Sequence, residues 1–358
     1  VIGQLGSNAR AGNGPHFVIE ADEYDHMFLG LKPTVAVVTH LEHDHPDCFP
    51  TFADTQRAFE CFLNLVPSGG LILGCGDQPN VAELLKKEYA APVQTGGLNP
   101  GNDWQAQNVR PNALGGHSFA VVREGQVWGE IDLQVPGIHN VQNALLALAV
   151  ADWAGVPRAD IVRGLASFAG TERRFEVVGE AKGITVIDDY GHHPTKIAAT
   201  LAGARARYGA RAGAHDRSRP GGRALWAVFQ PHTYSRTKTL WAEFLACFAQ
   251  ADHVIVLDIY AARERDALGI SAEQFINDLV RVHPDARHIG DFEQAAQYIV
   301  EHVESNAVVI TLSAGDGNQV GMLVLDGLRK SIAAQPVLEC GQDKRPSNPE
   351  NLGNPVEK

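Results

Sequence analysis

The chain has 358 residues, of which 44% are hydrophobic and 20% are charged. That length favours two domains, and this composition excludes an intrinsically disordered or fibrous protein. The net charge of −12 argues against a nucleic-acid binder, because neutralising phosphates requires clustered Lys and Arg.

The cellular environment is indicated by the cysteines and by the hydropathy pattern. The five cysteines are scattered and form no CxxC pair, which is typical of a protein from a reducing cytoplasm. No apolar run approaches the roughly 20 residues of a membrane span, and no signal peptide opens the chain. We therefore expect a cytoplasmic protein that binds neither nucleic acid nor membrane. The basic, Gly-rich segment 205–223 is interpreted as a surface loop.

The first half alternates short β-branched strands with helical segments, the pattern of a sheet covered by helices. The opening "VIGQLGSNARAG" begins in mid-pattern, so we expect the chain to be cut from something longer. The predicted elements are strands at 17–21, 33–41 and 70–75, helices at 52–66 and 81–89, a β region within 92–136, a helix from about 137, and a helix at 159–168.

The pattern resets at "SFAGTERRFEVVG", which places a domain boundary near Ala169. The predicted domains are therefore 1–168 and 169–334, followed by a polar, Pro- and Asn-rich tail at 335–358 that we expect to be disordered. The second domain reads as a doubly wound α/β fold. Its predicted elements are a hairpin of 175–180 with 184–188, strands at 225–229, 253–259 and 307–312, and helices from 194 and at 236–248, 272–282, 292–302 and 320–331.

The strand at 33–41 runs into "THLEHDHPDC", which holds three His, two Asp, one Glu and one Cys. A dizinc hydrolase with an H-x-H-x-D-H motif is one interpretation. In the register that starts at His40, however, Glu42 replaces the second histidine. A dizinc site also needs further histidines downstream, and the candidates, His192, His193 and His232, lie in the other predicted domain. A hard cation such as Mg²⁺, held by one or two carboxylates, one histidine and substrate phosphates, fits this mixture better.

A second acidic stretch, "IEADEYD", follows the predicted strand at 17–21. Its carboxylates belong to Glu20, Asp22, Glu23 and Asp25. The carboxyl ends of strands are where α/β sheets place ligands, and four carboxylates there repel one another unless a cation offsets their charge. A solvated acidic loop is the alternative.

Two motifs near the domain boundary carry candidate nucleotide contacts. "PGIHNVQNA" places His139 and Asn143 four residues apart on one face of a helix start, where they suit a base or a ribose, or simply cap the helix. "GTERRFE" supplies Arg173 and Arg174, which suit a phosphate or a hinge salt bridge.

The second domain repeats one arrangement on two strands. "VIDDYGHHPTKI" places Asp189, His192 and His193 at a helix N-terminus, where anions bind. "FQPHTYSRTKTL" places His232 and Arg236 after the next strand. "LSAGDGNQVG" is more typical of a tight turn than of a nucleotide loop. No G-x-x-x-x-G-K-[ST] phosphate cradle occurs anywhere in the chain.

Taken together, these motifs resemble the Mur ligase family, ATP-dependent amide-forming enzymes of peptidoglycan synthesis. The resemblance runs to about residue 330 and rests on eight motifs in family order: "SNARAG", "EADEYD", "LEHDHPD", "PGIHNVQNA", "GTERRFE", "IDDYGHHPT", "FQPHTYSRT" and "SAGDG". It implies a central ATPase-type α/β domain followed by a Rossmann-like C-terminal α/β domain. The chain lacks the UDP-binding domain and the P-loop, so we expect it to be inactive alone.

The resemblance implies ATP and Mg²⁺ as cofactors. In the family reaction, ATP phosphorylates a carboxylate and an amino group then displaces the phosphate. The motifs look most like the branch that joins L-alanine to UDP-N-acetylmuramate. A ligase that recycles a murein tripeptide onto the same acceptor is the alternative, and a non-catalytic nucleotide-binding module is a third possibility. The sequence does not indicate the oligomeric state.

The resemblance also assigns roles to individual residues. His40 stands where the family usually has Asn, which leaves its role open, and no lysine between Lys32 and Lys86 could be the carbamylated lysine of later pathway enzymes. The implied roles are Mg²⁺ ligands (Glu20, His45), nucleotide contacts (His139, Asn143, Arg173, Arg174, Asp189), catalytic residues (His192, His193, Asp189, Arg236) and substrate contacts (Asn8, Arg10, His232).

Overall fold

The computed structural model describes residues 1–209 and 222–333, which form two α/β halves, each built on a six-stranded sheet. The first half begins with two short 3₁₀ segments, Gly3–Leu5 and Tyr24–Gly30, and the second is kinked at Asp25 and His26, where φ is +51° and +56°. Its regular elements are β1 (Val35–Val38), α1 (Phe52–Leu63), β2 (Leu71–Cys75), α2 (Pro79–Leu85), β3 (Val93–Gly97), β4 (Trp104–Pro111), β5 (His117–Arg123), β6 (Gln126–Asp132), α3 (Ile138–Trp153) and α4 (Arg158–Ser167).

The first sheet has its strands in sequence order, with β1 to β4 parallel and β4 to β6 antiparallel. Strand β2 explains how the sheet is covered on both faces. Leu71 and Leu73 lie in one apolar cluster with α3, whereas Ile72 lies in another with α1, as the alternation of side chains along a strand requires. Helix α1 starts at a capping box in which Thr51 and Asp54 exchange hydrogen bonds.

The second half contains the sheet with order β11-β10-β9-β12-β8-β7. All its strands are parallel except β7, which pairs antiparallel with β8 as the predicted hairpin. Its elements are β7 (Glu176–Ala181), β8 (Ile184–Asp189), α5 (Pro194–Tyr208), β9 (Leu225–Phe229), α6 (Tyr234–Thr239), α7 (Trp241–Ala246), β10 (His253–Val256), α8 (Ala272–Leu279), β11 (Ala286–His288), α9 (Phe292–His302), β12 (Val308–Leu312) and α10 (Gln319–Ala333).

The predicted strand at 17–21 is wrong. Those residues belong to no strand, and Phe17 and Val18 are 86% and 89% exposed. An apolar run forms a strand only when a neighbouring strand pairs with its backbone and a packed face covers its side chains. Within residues 1–209 and 222–333, no strand pairs with this run.

Three predictions in the second half also need correction. The helix predicted at 236–248 is two helices, α6 and α7, because Leu240 leaves the helical conformation at φ −107° and ψ 29°. Strand β11 was not predicted, since three residues are too few to show a periodic pattern. The tail at 335–358 lies outside the described residues, so its predicted disorder stays a prediction. The surface loop predicted for the basic segment 205–223 is wrong at its start, because residues 205–208 are the last turn of α5 and the largely buried Arg205 pairs with Asp252 at 2.6 Å. Residues 210–221 of that segment lie outside the described part. None of the helices in the described ranges is both long and apolar enough to cross a membrane.

Candidate active site

The loop after β1 carries the "THLEHDHPDC" cluster, and its Glu42 binds the start of α5 in the second half. The Glu42 carboxylate lies 3.1 Å from Nε2 of His40 and 3.0 Å from Nδ1 of His193. The hydroxyl of Thr195 donates to it at 2.6 Å. Burial favours the neutral acid, but the close approach of the His193 and His40 ring nitrogens and the Thr195 hydroxyl outweighs it and holds the pKa of Glu42 well below its usual range. The charged Glu42 side chain therefore connects the two halves, and we call a charged contact of this kind a joint.

Asp44, two residues further on, binds a different element of the second half. Nε of Arg236, on α6, donates to Asp44 Oδ1 at 2.7 Å, and the Arg236 side chain is almost fully buried. A second guanidinium nitrogen donates to the backbone carbonyl of His232 at 2.6 Å. Against the effect of burial, the charges of Arg236 and His45 keep the pKa of Asp44 well below its usual range. This is a buried ion pair, and removing either partner would leave the other uncompensated.

His45 contacts the other acidic stretch, although not through the residue that the family resemblance selects. Its Nε2 lies 3.5 Å from Glu23 Oε1, and its ring meets the ring of Tyr24 edge-on at 5.1 Å. The hydrogen bond from His45 lowers the pKa of Glu23. Glu20 is exposed, and neither a hydrogen bond nor an ion pair joins it to His45 in the described part of the chain. Its role as a metal ligand stays a prediction.

The donor set near His45 can be compared with the needs of Mg²⁺. Among residues 1–209 and 222–333, no group of three or more His, Cys, Asp or Glu side chains is arranged to hold a metal ion. Mg²⁺ usually takes one or two protein carboxylates and completes its shell with water and phosphate oxygens. The Glu23 carboxylate beside His45 is chemically suited to such a partial site, which the neighbouring acids of segment 20–25 would complete together with phosphate oxygens.

The second-half histidines lie at the carboxyl ends of β8 and β9, facing the same cleft. Nδ1 of His192 lies 2.8 Å from the carbonyl of Tyr190. Because a carbonyl only accepts, that nitrogen carries the proton and Nε2 keeps a free lone pair. Burial, together with the positive charges of Lys196 and Arg236, places the pKa of His192 well below its usual value. Burial and Arg236 likewise lower the pKa of His232 to about 4. Both rings are therefore neutral at pH 7.

Asp189 ends β8 and is only 5% exposed. One carboxylate oxygen accepts from the backbone N–H of Phe175 at 2.8 Å, and the other accepts from the N–H of Gly191 at 2.7 Å. Burial raises the pKa of Asp189. These bonds shape the turn that leads to the two histidines, and its direct contact with a nucleotide stays a prediction.

The two neighbouring arginines have different environments. Arg173, at φ +58°, donates to Asp188 at 3.0 Å and to the carbonyl of Ser313 at 2.6 Å, so its guanidinium ties the boundary loop to the second sheet. Arg174 is exposed, and its guanidinium lies 5.5 Å from the ring centroid of Tyr190. Within the described residues Arg174 makes no ion pair, whereas Arg173 pairs with Asp188. Arg174 is therefore the better candidate to bind a phosphate.

The start of α3 brings the first-half candidates to this cleft. His139 is exposed and folds over Gly137, whose φ of +96° and lack of a side chain make room for the ring. Desolvation by the surrounding protein and the positive charge of Arg174 lower the pKa of His139. Asn143 is exposed one turn further along α3. A Cβ built on Gly203 of α5 would lie 3.8 Å from Gly137, so the two halves also touch here.

Asn8 and Arg10 are not part of this cluster. Both are exposed, and neither side chain makes a hydrogen bond or an ion pair within the described ranges. Their assignment to the substrate stays a prediction. Sequence reasoning missed Glu42, Asp44 and Thr195 as contacts between the halves. The only sequence signal was the density of ionisable residues after β1, which does not indicate the partner of each acid.

Comparison with known proteins covers most of the chain. Residues 4–151 match the Mur ligase middle domain, and residues 173–315 match the Mur ligase, glutamate ligase domain. The UDP-N-acetylmuramate–L-alanine ligase of Caldanaerobacter subterraneus subsp. tengcongensis is 38% identical over 329 residues, which cover 92% of this chain and 68% of that protein. The ligase of the same name from Geobacter sp. (strain M21) is 41% identical, over 90% of this chain and 68% of that protein.

A solved structure gives the same fold. The UDP-N-acetylmuramate-alanine ligase of Thermotoga maritima superimposes with a TM-score of 0.65 at 21% identity, covering 86% of this chain and 62% of that one. The chain thus spans about two thirds of the length of the relatives that it matches. These matches favour the Mur ligase resemblance over the dizinc hydrolase alternative.

Proposed function

Because the chain belongs to the Mur ligase family, we propose that the protein carrying it is an ATP-dependent ligase that joins L-alanine to UDP-N-acetylmuramate. The observation that carries this proposal is the 38–41% identity, over at least nine tenths of the chain, to ligases with that named activity. The scattered cysteines support a cytoplasmic location, where ATP is available.

The nucleotide would lie between the start of α3 and the boundary loop. Arg174 offers a guanidinium that makes no ion pair within residues 1–209 and 222–333, which suits a phosphate. His139, whose lowered pKa keeps it neutral, and Asn143 offer ring and amide groups suited to a base or ribose. ATP bound there would join residues from both halves, so its binding would favour their closed arrangement.

His45 and a carboxylate of segment 20–25, with Glu20 selected by the family pattern, would hold Mg²⁺ together with phosphate oxygens. When bound, Mg²⁺ would neutralise charge on the transferred phosphoryl group.

The second half would supply the groups around the amino acid. The unprotonated Nε2 of His192 is suited to accept a proton from the attacking amino group, because Nδ1 is fixed as a donor by the Tyr190 carbonyl. The contact of His193 with Glu42 fixes its ring and joins the two halves. Arg236 is held by Asp44 and by the His232 carbonyl, which gives it a positioning role in the joint.

The test is phosphate release from ATP by the protein that carries this chain, with UDP-N-acetylmuramate and Mg²⁺ present. We expect release that depends on both UDP-N-acetylmuramate and L-alanine. The tripeptide L-Ala-γ-D-Glu-meso-diaminopimelate is supplied in a parallel reaction. A clear preference for the tripeptide would show that the protein is the recycling ligase instead.

A further inference from the structure

The loop from 257 to 271, between β10 and α8, contacts both halves of the molecule, and the function proposed above assigns it no role. Its Glu264 carboxylate accepts from the backbone N–H groups of Tyr234 at 2.6 Å and of Ser235 at 3.1 Å. These are the first residues of α6, which also carries Arg236. The loop is therefore fixed to the helix whose arginine binds Asp44.

Arg263, the residue before Glu264 in this loop, contacts the first half. Its guanidinium carbon lies 4.1 Å from the ring centroid of Tyr24, and its Nη2 lies 3.8 Å from Asp47 Oδ2. The Tyr24 hydroxyl donates to the same Asp47 oxygen at 2.9 Å. The three side chains close a triangle, which we call the Arg263 clamp (Arg263, Tyr24 and Asp47).

The clamp links the two acidic segments of the first half to each other. Tyr24 comes from segment 20–25, whereas Asp47 comes from the loop after β1. His45, in the same loop as Asp47, also contacts segment 20–25: its ring centroid lies 5.1 Å from that of Tyr24, and its Nε2 lies 3.5 Å from Glu23. The Arg263 guanidinium of the second half therefore contacts both the loop that contains His45 and the segment that His45 contacts.

We propose that Arg263 is a positioning residue that aligns the loops around His45 when the two halves are together. It touches no reacting group in this arrangement and acts through Tyr24 and Asp47. Its side chain is 66% exposed and that of Asp47 is 39% exposed, so solvent screens the ion pair and the clamp contributes little to global stability. What it sets is the relative position of segments 20–25 and 42–47, which no strand pairing joins in the described part of the chain.

The first experiment does not depend on enzymatic activity. Hydrogen exchange is measured on the chain for wild type, Arg263→Met and, as a matched control, Arg265→Ala, an exposed arginine two residues away. We expect Arg263→Met to speed exchange of segments 22–26 and 44–49 about fivefold, as loss of a cation–π contact and an exposed ion pair predicts. Arg263→Lys should restore most of the protection, and Arg265→Ala should match wild type. Unchanged exchange in Arg263→Met would overturn the proposal.

The second experiment rests on the proposed function. In the protein that carries this chain, Arg263→Met should lower kcat for phosphate release about fivefold while leaving KM for ATP within about twofold. Tyr24→Phe should have a smaller effect, and the double variant should be no worse than Arg263→Met, because both substitutions break the same triangle. A lowered melting temperature with kcat unchanged would mean a purely structural contact and would overturn the proposal. If wild type itself releases no phosphate, the proposed function fails, and the exchange result still decides the clamp.

Discussion

Two acidic segments of the first half, 20–25 and 42–47, have similar compositions and opposite environments. In segment 42–47, Glu42, Asp44 and Asp47 each contact a cation or a donor from a different element of the second half. In segment 20–25, Glu20 and Asp25 make no ion pair within the described ranges, and the Asp22 carboxylate accepts only the nearby backbone N–H of Tyr24 there.

The difference shows how a carboxylate cluster can be interpreted once its partners are known. Carboxylates that protein cations already neutralise are joints, whereas those that face solvent keep their charge for a ligand cation. We infer that the acids of segment 42–47 hold the two halves together, whereas His45 and the acids of segment 20–25 supply the metal side of the site. Substitutions in the two segments should therefore differ in what they damage.

Asp44→Asn should cause the largest loss of stability. The variant leaves Arg236, whose side chain is only 4% exposed, without its carboxylate, and we expect a loss of about 3 kcal/mol in the free energy of unfolding. Urea unfolding of the chain measures this, with the exposed Glu124→Gln as a control that should change it by less than about 0.5 kcal/mol. Equal effects of the two substitutions would mean that the pair is not a joint.

Glu42→Gln should lower stability by a smaller amount, about 1.5 kcal/mol, because hydrogen bonds to a charged acceptor are weakened without being removed. Its pH dependence is more informative. The folded pKa of Glu42 lies below its usual value, so its stabilisation is complete above the unfolded pKa of about 4.3 and is lost as the pH falls below it. The difference between wild type and variant should be constant from pH 6 to 8 and shrink below about pH 4. A difference that grew on acidification would contradict the assignment.

A substitution of His232 tests the contacts that the second half makes around Arg236. Its expected effect on the free energy of unfolding is on the order of 1 kcal/mol, after allowance for solvent screening of the partly exposed ring. Its folded pKa of about 4 lies below the unfolded value near 6.5. The unfolded chain therefore binds a proton first, and wild-type stability should fall as the pH drops from about 6.5 towards 4. His232→Asn should show a shallower fall over that window in thermal unfolding. An identical slope would mean that the ring is not held neutral.

Most of the second half was predictable from sequence, because its strands are buried on both faces and read as continuous apolar runs. β9 and α9 have the predicted bounds, and β12 begins one residue later than expected. The exposed run at 17–21 has the same local pattern and forms no strand, since pairing and burial depend on neighbours that local pattern does not encode.

The sequence predicted which motifs form the candidate site but not how their side chains are arranged. The sequence placed His45, His193 and Arg236 at strand or helix ends, and the structure brings them to one cleft. It could not show that Arg173 is fixed by Asp188 while Arg174 faces the cleft, because the two neighbours share one chemistry. Nor could it show which acids bind the second half, since that depends on contacts between residues far apart in the chain, such as Thr195 and Glu42, which are 153 residues apart.

The most direct test of this division is Glu20→Gln, assayed for both stability and activity. Glu20 faces solvent, so its free energy of unfolding should stay within about 0.5 kcal/mol of wild type. In the protein that carries this chain, L-alanine-dependent phosphate release at limiting Mg²⁺ should fall at least tenfold and recover in part as Mg²⁺ is raised. Near-normal release at limiting Mg²⁺, or a loss of stability as large as that of Asp44→Asn, would contradict the account.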